Sequence, residues 1–361
     1  MADQQPTYPT PPPDSVIFGQ FEGLKNTVTR ERLKPSELEI AKNVDLDDAG
    51  QARRRRGFRR VADGDWHSLY SDPSGLLLGV KNGILGLMQN DLSFSPLLPN
   101  VGAEHLDYVR VGDVVYFSSF TASGKFHAAS QQVYPWGQTG GDGVWYSPVV
   151  NPTPTLGPVN GRLLGKVPMA NQLTYWNGRI YMGCGRTVWA TDLYLYDYVD
   201  KTRTFFQFES DVTMLASVAD GIYVGTTDAV YFLSYEKGIG ASIKDLKRVP
   251  LMAYGAVPGS AMQVPAELIK PQLSQDPQSP IKNAVMFLTH TGIVAGFDGG
   301  STYNLTQADV LFPNAKRAAA MFRRQDGINQ FVAVMNSGGD PEENARIGDY
   351  VDAEIRRFKG A

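Results

Sequence analysis

The chain is poor in the side chains that most often carry out chemistry in proteins. It has one cysteine, Cys184, and four histidines, His67, His105, His127 and His290, among 361 residues. A single thiol cannot build a disulfide framework or a cysteine-rich metal site. The histidines show no metal-ligand spacing. We therefore expect no metal and no cofactor, and we expect the cysteine to be a small buried apolar side chain rather than a reactive thiol.

Long apolar runs and a large charge excess are also missing. No apolar run approaches the roughly 20 residues that a membrane-spanning helix needs. The N-terminus lacks a basic region followed by an apolar segment, so we expect no signal peptide and a protein made and kept soluble in a cytoplasm. The chain has 34 Lys and Arg against 37 Asp and Glu, a net charge of -3. Such a balance gives no overall attraction to nucleic acid or to an anionic membrane.

The sequence contains instead a repeated strand pattern, clearest over residues 173–250. Two copies of the pattern follow one another, and their turn glycines Gly178 and Gly221 lie 43 residues apart. Asn177-Gly178 and Asp220-Gly221 indicate tight hairpins, because such turns need a positive φ that Gly and Asn tolerate. A period of about 40–45 residues with four strands per unit is typical of a β-propeller blade.

Weaker copies of the same pattern surround this stretch. Further turn glycines are Gly83, Gly112, Gly292 and Gly327. A four-stranded blade needs stacked neighbours to bury its faces. The sequence thus predicts an all-β protein, a β-propeller of about six four-stranded antiparallel blades.

The blades are expected over residues 66–336, with a loop-rich insertion at 119–168 that breaks the pattern. The last unit supplies only about two strands. Residues 14–65 are therefore expected to help close the propeller, with residues 43–62 pairing with strands from about 314–336.

The two ends of the chain differ from the blades. Residues 1–13 contain five prolines and predict a disordered arm, or an arm that becomes ordered on a partner subunit. Residues 34–41 predict a short helix, because Ser36 and Glu39 have the spacing of a capping box. Residues 337–361 predict a C-terminal amphipathic helix that docks on its own domain or on a neighbour.

An arginine-rich segment is the most unusual local feature. Six arginines fall within eight residues, after three aspartates that precede Gly50. The segment predicts two strands joined by an Asp/Gly turn; a calcium loop is the alternative, but its closing glutamate is absent. We favour pairing of the arginines with carboxylates inside the fold or across a protein interface. A nucleic-acid patch is the alternative, weakened by the acidic chain and by Phe58 as the single interleaved aromatic residue. The aspartates are Asp45, Asp47 and Asp48.

Exposed aromatic residues are expected in the loop-rich insertion, as an interface or ligand platform or packed onto the adjoining blade. Together with the arginines and the C-terminal tail they make up the candidate interface. Its residues are Arg53, Arg54, Arg55, Arg56, Arg59, Arg60, Trp136, Trp145, Tyr146, Tyr350, Asp352, Ile355 and Phe358. We predict no catalytic, cofactor-binding or metal-binding residue.

Four groups of short segments carry a family resemblance. They are residues 41–58, 253–260, 292–296 with 304–306, and 348–356. In this order they resemble a family of tailed-bacteriophage and prophage virion structural proteins. The resemblance implies a structural protein of the tail or head–tail region of the virion, made in the bacterial host cytoplasm, with no catalytic residues to transfer.

These observations predict a ring-forming tail component, such as a nozzle, hub or head–tail connector, and not an enzyme. Its expected partners are copies of itself and other tail or connector proteins, with passing contact with DNA in the channel left open. The alternative is a propeller module that binds a glycan or protein ligand, in the manner of a lectin or receptor-binding protein. A glycosidase remains a further alternative, because paired carboxylates that lie far apart in sequence leave no local motif.

Overall fold

The computed structural model describes residues 20–41, 44–46, 52–54, 62–137, 164–235, 245–269, 283–306, 309–325 and 328–336. Most of these residues are in β-strands. The contacts divide the chain into an N-terminal unit, residues 1–57 with 308–310, and a propeller unit, residues 58–307 with 311–361. The predicted all-β class is confirmed.

Short strands form the described part of the N-terminal unit. β1 (Gly23–Leu24) pairs in parallel with β2 (Glu37–Leu38). β3 (Val44–Leu46) pairs antiparallel with β4 (Ala52–Arg54). The predicted strand–turn–strand over the arginine-rich segment is thus confirmed at its strands.

The helix predicted for residues 34–41 was wrong. Residues 35–36 form a turn that leads into β2. The Glu37 carboxylate accepts a hydrogen bond from the Lys34 amide at 3.0 Å and pairs with Lys25 Nζ at 3.0 Å. The Glu37 side chain thus bonds a backbone amide that a helix start would leave free, and pairing with β1 takes up the backbone groups of β2.

Five four-stranded antiparallel sheets follow one another in the propeller unit. Sheet A contains β5 (Trp66–Ser71), β6 (Leu77–Lys81), β7 (Ile84–Met88) and β8 (Phe94–Leu98). Sheet B contains β9 (Asp107–Val111), β10 (Val114–Ser118), β11 (Ser123–His127) and β12 (Gln132–Tyr134). Sheet C contains β14 (Gln172–Trp176), β15 (Arg179–Cys184), β16 (Thr187–Ala190) and β18 (Phe205–Gln207), while β13 (Leu164–Lys166) pairs with β17 (Tyr198–Asp200) beside it.

Two further four-stranded sheets and a hairpin complete the unit. Sheet D contains β19 (Val212–Ser217), β20 (Gly221–Thr226), β21 (Val230–Tyr235) and β22 (Leu246–Met252). Sheet E contains β23 (Met262–Pro265), β24 (Asn283–Thr289), β25 (Gly292–Phe297) and β26 (Thr302–Asn304), with helix α1 (Ala266–Ile269) after β23. The hairpin F contains β27 (Arg317–Gln325) and β28 (Ile328–Asn336).

Consecutive sheets stack face to face through buried apolar side chains. Phe117 of sheet B packs in one cluster with Leu85 of sheet A. The same relation joins sheets B and C, C and D, and D and E, the last pair through Tyr223 and Phe287. First strands of neighbouring sheets lie side by side, β9 by β14, β14 by β19 and β23 by β27. This serial stacking of four-stranded antiparallel sheets is a β-propeller. We call the edge formed by the first strands the inner edge.

The last unit supplies two described strands, as the sequence predicted. Ala318 N donates to Pro258 O at 2.9 Å and joins hairpin F to the segment before sheet E. One face of the hairpin is buried at Phe331 and Ala333, whereas Met321 on the other face is 53% exposed. Pairing of residues 43–62 with residues 314–336 remains a prediction.

The loop-rich insertion was predicted for residues 119–168, and its predicted first residue lies too early in the chain. β11 and β12 lie within it and complete sheet B, and residues 138–163 are outside the described part of the chain. The weak strand signal at β11 has a packing cause. A Cβ on Gly124 would lie 2.4 Å from Phe117 Cζ, so this strand uses a glycine where strands favour larger residues.

The two turn glycines that defined the repeat have different causes. Asn177 and Gly178 have φ of 49° and 76°, as a hairpin with two positive φ angles requires. Gly221 is not in that region; it begins β20, and a Cβ there would lie 2.3 Å from Phe232 Cζ. Close packing against Phe232, and not a positive φ, therefore requires the glycine at position 221.

Candidate interaction surfaces and a polar cluster at the inner edge

The arginine-rich segment is described over β4 alone. Its register with β3 sets Asp45 opposite Arg53 and Val44 opposite Arg54. Arg54 is exposed. The pairing of these arginines with carboxylates remains a prediction. Outside the described residues are Arg55, Arg56, Arg59, Arg60, Asp47 and Asp48.

Trp136 is buried, so of the two predicted alternatives the packed one holds and the exposed interface does not. Its side chain is 1% exposed. The indole Nε1 donates to Tyr196 O at 2.8 Å, and the ring packs on Tyr116 with centroids 5.2 Å apart. The residue belongs to the core between sheets B and C, because the indole there buries a large apolar surface while its N–H is satisfied. Lying outside the described residues are Trp145, Tyr146, Tyr350, Asp352, Ile355 and Phe358.

The single cysteine lies at the end of β15. Cys184 is partly buried beside the cluster between sheets B and C. Burial raises the pKa of its thiol. A raised pKa leaves little thiolate at neutral pH, so this side chain has the character of an apolar residue rather than of a nucleophile.

Tyrosines at one equivalent position join successive sheets. Tyr116, Tyr181 and Tyr223 are each the third residue of the second strand of their sheet. The Tyr223 hydroxyl donates to carbonyl oxygens of sheet E and its following turn, Phe297 O at 2.5 Å and Ser301 O at 3.0 Å. The Tyr181 hydroxyl lies 3.4 Å from that of Tyr235 in sheet D. The hydroxyls of Tyr181 and Tyr223 are thus directed toward the following sheet.

A different polar cluster lies at the inner edge between sheets A and B. Ser68 Oγ is 2.8 Å from His67 Nδ1 and 3.3 Å from His105 Nδ1. It also accepts a hydrogen bond from Leu106 N at 2.8 Å. The β5–β6 ladder shifts register between His67 and Tyr70, and Ser68 has a φ of 52°. This β-bulge turns the serine hydroxyl away from the ladder and toward the segment that leads into β9.

The two imidazoles of the cluster have different surroundings. His67 Nε2 is buried and has no hydrogen-bond partner in the described structure. His105 is exposed, yet desolvation by the surrounding protein, followed by the charges of Arg317 and His67, lowers its pKa to about 4. Arg317 is the first residue of β27. His67 of β5 and His105 of the segment before β9 therefore meet at the Ser68 hydroxyl.

Asp107 continues this edge toward sheet C. Its Oδ2 accepts a hydrogen bond from Leu173 N at 2.6 Å, and its Oδ1 accepts one from Tyr108 N at 2.9 Å. Burial raises the pKa of Asp107 to about 6, although both hydrogen bonds favour the charged form. The carboxylate thus fastens β9 to β14 and titrates in the mildly acidic range.

Within the described residues no group of three or more His, Cys, Asp or Glu side chains is placed to hold a metal ion. The helices of that same part of the chain are too short or too polar to cross a membrane. What the inner edge offers chemically is a set of hydrogen-bond donors and basic side chains. No local pattern indicates the cluster of His67, Ser68 and His105, because Ser68 and His105 lie 37 residues apart.

Comparisons with known proteins found no family model that matches the chain and no match among curated proteins. Several solved structures are similar to it. PorZ of Porphyromonas gingivalis, a component of the type-IX secretion system, has 11% identity and a TM-score of 0.43 over 96% of this chain, which spans 39% of that protein. The N-terminal domain of Nup159 has 8% identity and a TM-score of 0.44, over 76% of this chain and 74% of that one. BBS1N in complex with ARL6DN has 14% identity and a TM-score of 0.41, over 76% of this chain and 75% of that one. We take no function from these similarities.

Proposed function

We propose that the protein is a non-catalytic structural subunit of a tailed-bacteriophage virion, in the tail or head–tail region, that assembles as a ring with copies of itself. The resemblance of its ordered segments to virion proteins supports the proposal. The structural observation that carries it furthest is the β3–β4 ladder, with Asp45 opposite Arg53 and Arg54 exposed.

Two neighbouring arginines of β4 lie opposite residues of different kinds in β3. Successive residues of a strand lie on opposite faces, so Arg53 and Arg54 occupy different faces of the hairpin. The backbone register sets Asp45 opposite Arg53 and Val44 opposite Arg54. Arg54 makes no ion pair within the described structure. An exposed guanidinium with two parallel donors is suited to a carboxylate on another chain.

Assembly of the full-length protein tests this proposal. We expect sedimentation-velocity measurements to show a ring of the wild type and smaller species for Arg54→Ala. Arg54→Lys should weaken the ring less than alanine does, because lysine keeps the charge but loses the bidentate geometry. Far-ultraviolet circular dichroism should be unchanged in both variants. Arg186→Ala is the control, since that exposed arginine has its own partner, Asp211, at 3.8 Å.

Three results would count against the proposal. A wild type that stays monomeric at all concentrations would remove the ring. A variant that stays assembled but loses a salt-dependent affinity for duplex DNA would make the arginines a DNA-facing surface instead. A monomer that binds a glycan would favour the soluble binding module.

A further inference from the structure

The outermost strands of the five four-stranded sheets are protected at their free edges. In sheets B, C and E these strands, β12, β18 and β26, have three residues each. In sheet A the outermost strand contains Pro96, and in sheet D it contains Lys247, Arg248 and Pro250. Short strands, charged residues and proline at a sheet edge keep further strands from adding to it. These five edges are therefore poor acceptors for another strand.

Strand β28 of hairpin F has none of these features. It spans nine residues, Ile328–Asn336, and contains neither proline nor a charged residue. It pairs with β27, and no strand among the described residues pairs with its other edge. A free strand edge presents a row of backbone N–H and C=O groups that a further strand can pair with. The edge of β28 is thus an acceptor site for strand addition.

Apolar side chains lie on both faces of hairpin F beside this edge. Phe331 and Ala333 of β28 are buried on one face. On the other face, Val334 is 46% exposed and lies opposite Ala319 of β27. Met321, two residues further along β27, is on that same face and is 53% exposed. A strand that pairs with β28 continues both faces, so we expect it to be apolar on both of its sides.

Two segments of this chain are candidates for the added strand. Residues 43–62 were predicted to close the propeller, but their described strands carry charges, Asp45 in β3 and Arg53 in β4. Residues 15–18 lie outside the described part of the chain, and their sequence ends in three successive apolar residues, Val-Ile-Phe. β-branched and aromatic residues favour strands. Because an unpaired charge is costly to bury, the apolar edge favours the second candidate.

We propose that residues 15–18 of one copy add as a strand to the free edge of β28 in a neighbouring copy. The contact rests on the proposed self-assembly and specifies a segment that joins one copy to the next. In strand addition the main-chain hydrogen bonds supply the affinity, and the side chains on each face supply the specificity. The donor strand pairs the edge of β28 and covers the apolar surface around Val334 and Met321.

Photo-cross-linking of the full-length protein tests this contact. Phe18 is replaced by the photoreactive p-benzoylphenylalanine, which keeps an aromatic side chain, and the assembled protein is irradiated. We expect cross-linked dimers on a denaturing gel. After digestion with trypsin, mass spectrometry should show residues 1–25 joined to residues 325–346, the tryptic peptides that contain Phe18 and β28.

Three variants control the result. Tyr134 is exposed on the short strand β12, and the same photoreactive group at that position should give no product with residues 325–346. Val334→Lys adds to β28 the kind of charge that protects β22, and it should lower the yield of the Phe18 product about tenfold. Val334→Thr keeps a β-branched residue without a charge and should retain the product. Far-ultraviolet circular dichroism should be the same for both Val334 variants and the wild type.

The outcomes separate this contact from the proposed ring. Sedimentation velocity on the same sample shows whether a ring forms. A ring that gives no product at residues 325–346 would overturn the contact and leave the proposed function standing. A product found only in the monomer band would mean that residues 15–18 bind their own chain, which overturns the contact between copies. An undiminished yield in Val334→Lys would also overturn it. Cross-linked dimers without a ring would support the contact and count against the ring.

Discussion

The hydroxyl of Tyr223 in sheet D lies 2.5 Å from the backbone carbonyl of Phe297 in sheet E. The ring is fully buried, and its oxygen is also 3.0 Å from Ser301 O. This bond crosses from one sheet to the next within an otherwise apolar contact. It therefore fixes where the end of β25 lies on the face of sheet D, which apolar packing alone specifies less tightly.

Tyr223→Phe removes this bond and leaves the ring in place. We expect the free energy of unfolding to fall by about 1–3 kcal/mol, because the Phe297 carbonyl loses a buried partner. Tyr231→Phe is the matched control, since that hydroxyl donates to Glu209 at the surface, and it should change stability by less than about 0.5 kcal/mol. Guanidinium unfolding measures both. Equal effects of the two variants would contradict the role assigned to Tyr223.

Gly221 and Gly112 should respond oppositely to asparagine. Gly112 has a φ of 60° and open space around it, so Gly112→Asn should cost less than Gly112→Ala. At Gly221 a Cβ would also meet the Leu233 carbonyl at 2.6 Å, so both substitutions overpack and Asn should be the worse. We expect Gly221→Ala to cost at least about 2 kcal/mol in guanidinium unfolding. A tolerated Gly221→Asn would show that backbone conformation, and not packing, selects this glycine.

Trp136 should matter for stability and not for assembly. Trp136→Ala removes a buried indole from the contact between sheets B and C, and we expect a loss of about 3–5 kcal/mol in thermal or chemical unfolding. Trp136→Phe should be milder, because it keeps most of the apolar volume and loses the bond to Tyr196 O. If the alanine variant kept its stability but lost oligomers, Trp136 would be an interface residue after all.

Asp107 should give the protein a pH-dependent stability. Its pKa of about 6 in the fold lies above the ordinary 3.8, so its favourable contribution is present below pH 3.8 and is lost as the pH rises through about 6. A shift of about two units corresponds to roughly 3 kcal/mol. His105, with its pKa lowered to about 4, acts in the opposite direction and loses its contribution as the pH falls through 4.

Urea unfolding between pH 4 and 7 separates the two groups. Removing the Asp107 charge by Asp107→Asn should raise stability relative to wild type more at pH 7 than at pH 4. His105→Gln should leave that difference in place. A wild-type and Asp107→Asn pair with parallel pH profiles would mean that the carboxyl titrates at its ordinary pKa.

The repeat was predictable because its turns are local. Asn82-Gly83 and Asn177-Gly178 need positive φ at both residues, and a dipeptide is enough to indicate that. A second local pattern, a hydroxyl residue at the turn, was not recognised in the sequence. In three sheets a hydroxyl residue at the end of the second strand, or directly after it, bonds the chain three residues later. Thr226 Oγ1 donates to Ala229 O at 3.1 Å. Ser119 bonds Ala122 and Thr289 bonds Gly292 in the same way. This spacing could have located the turns that lack an Asn-Gly pair.

Contacts between segments that lie far apart in the sequence could not be predicted. Trp136 follows the described strands of sheet B directly, but its burial depends on Tyr196, sixty residues later. The helix predicted for residues 34–41 does not form, and the Glu37 carboxylate pairs with Lys25, the residue that follows β1. The cluster of His67, Ser68 and His105 needs both β5 and the segment before β9. None of these relations leaves a spacing that a reading along the chain could detect.

The order of the sheets has a consequence for synthesis. Each four-stranded sheet is made from one continuous stretch of chain, and its stacking partner is the next stretch. At about 5–20 residues per second, a newly completed sheet waits only a few seconds on the ribosome before its apolar face is covered. Sheets A to E can therefore be added one at a time in the order of translation. Hairpin F is the last of the described strands to be translated, and Met321 on one of its faces is 53% exposed in the fold.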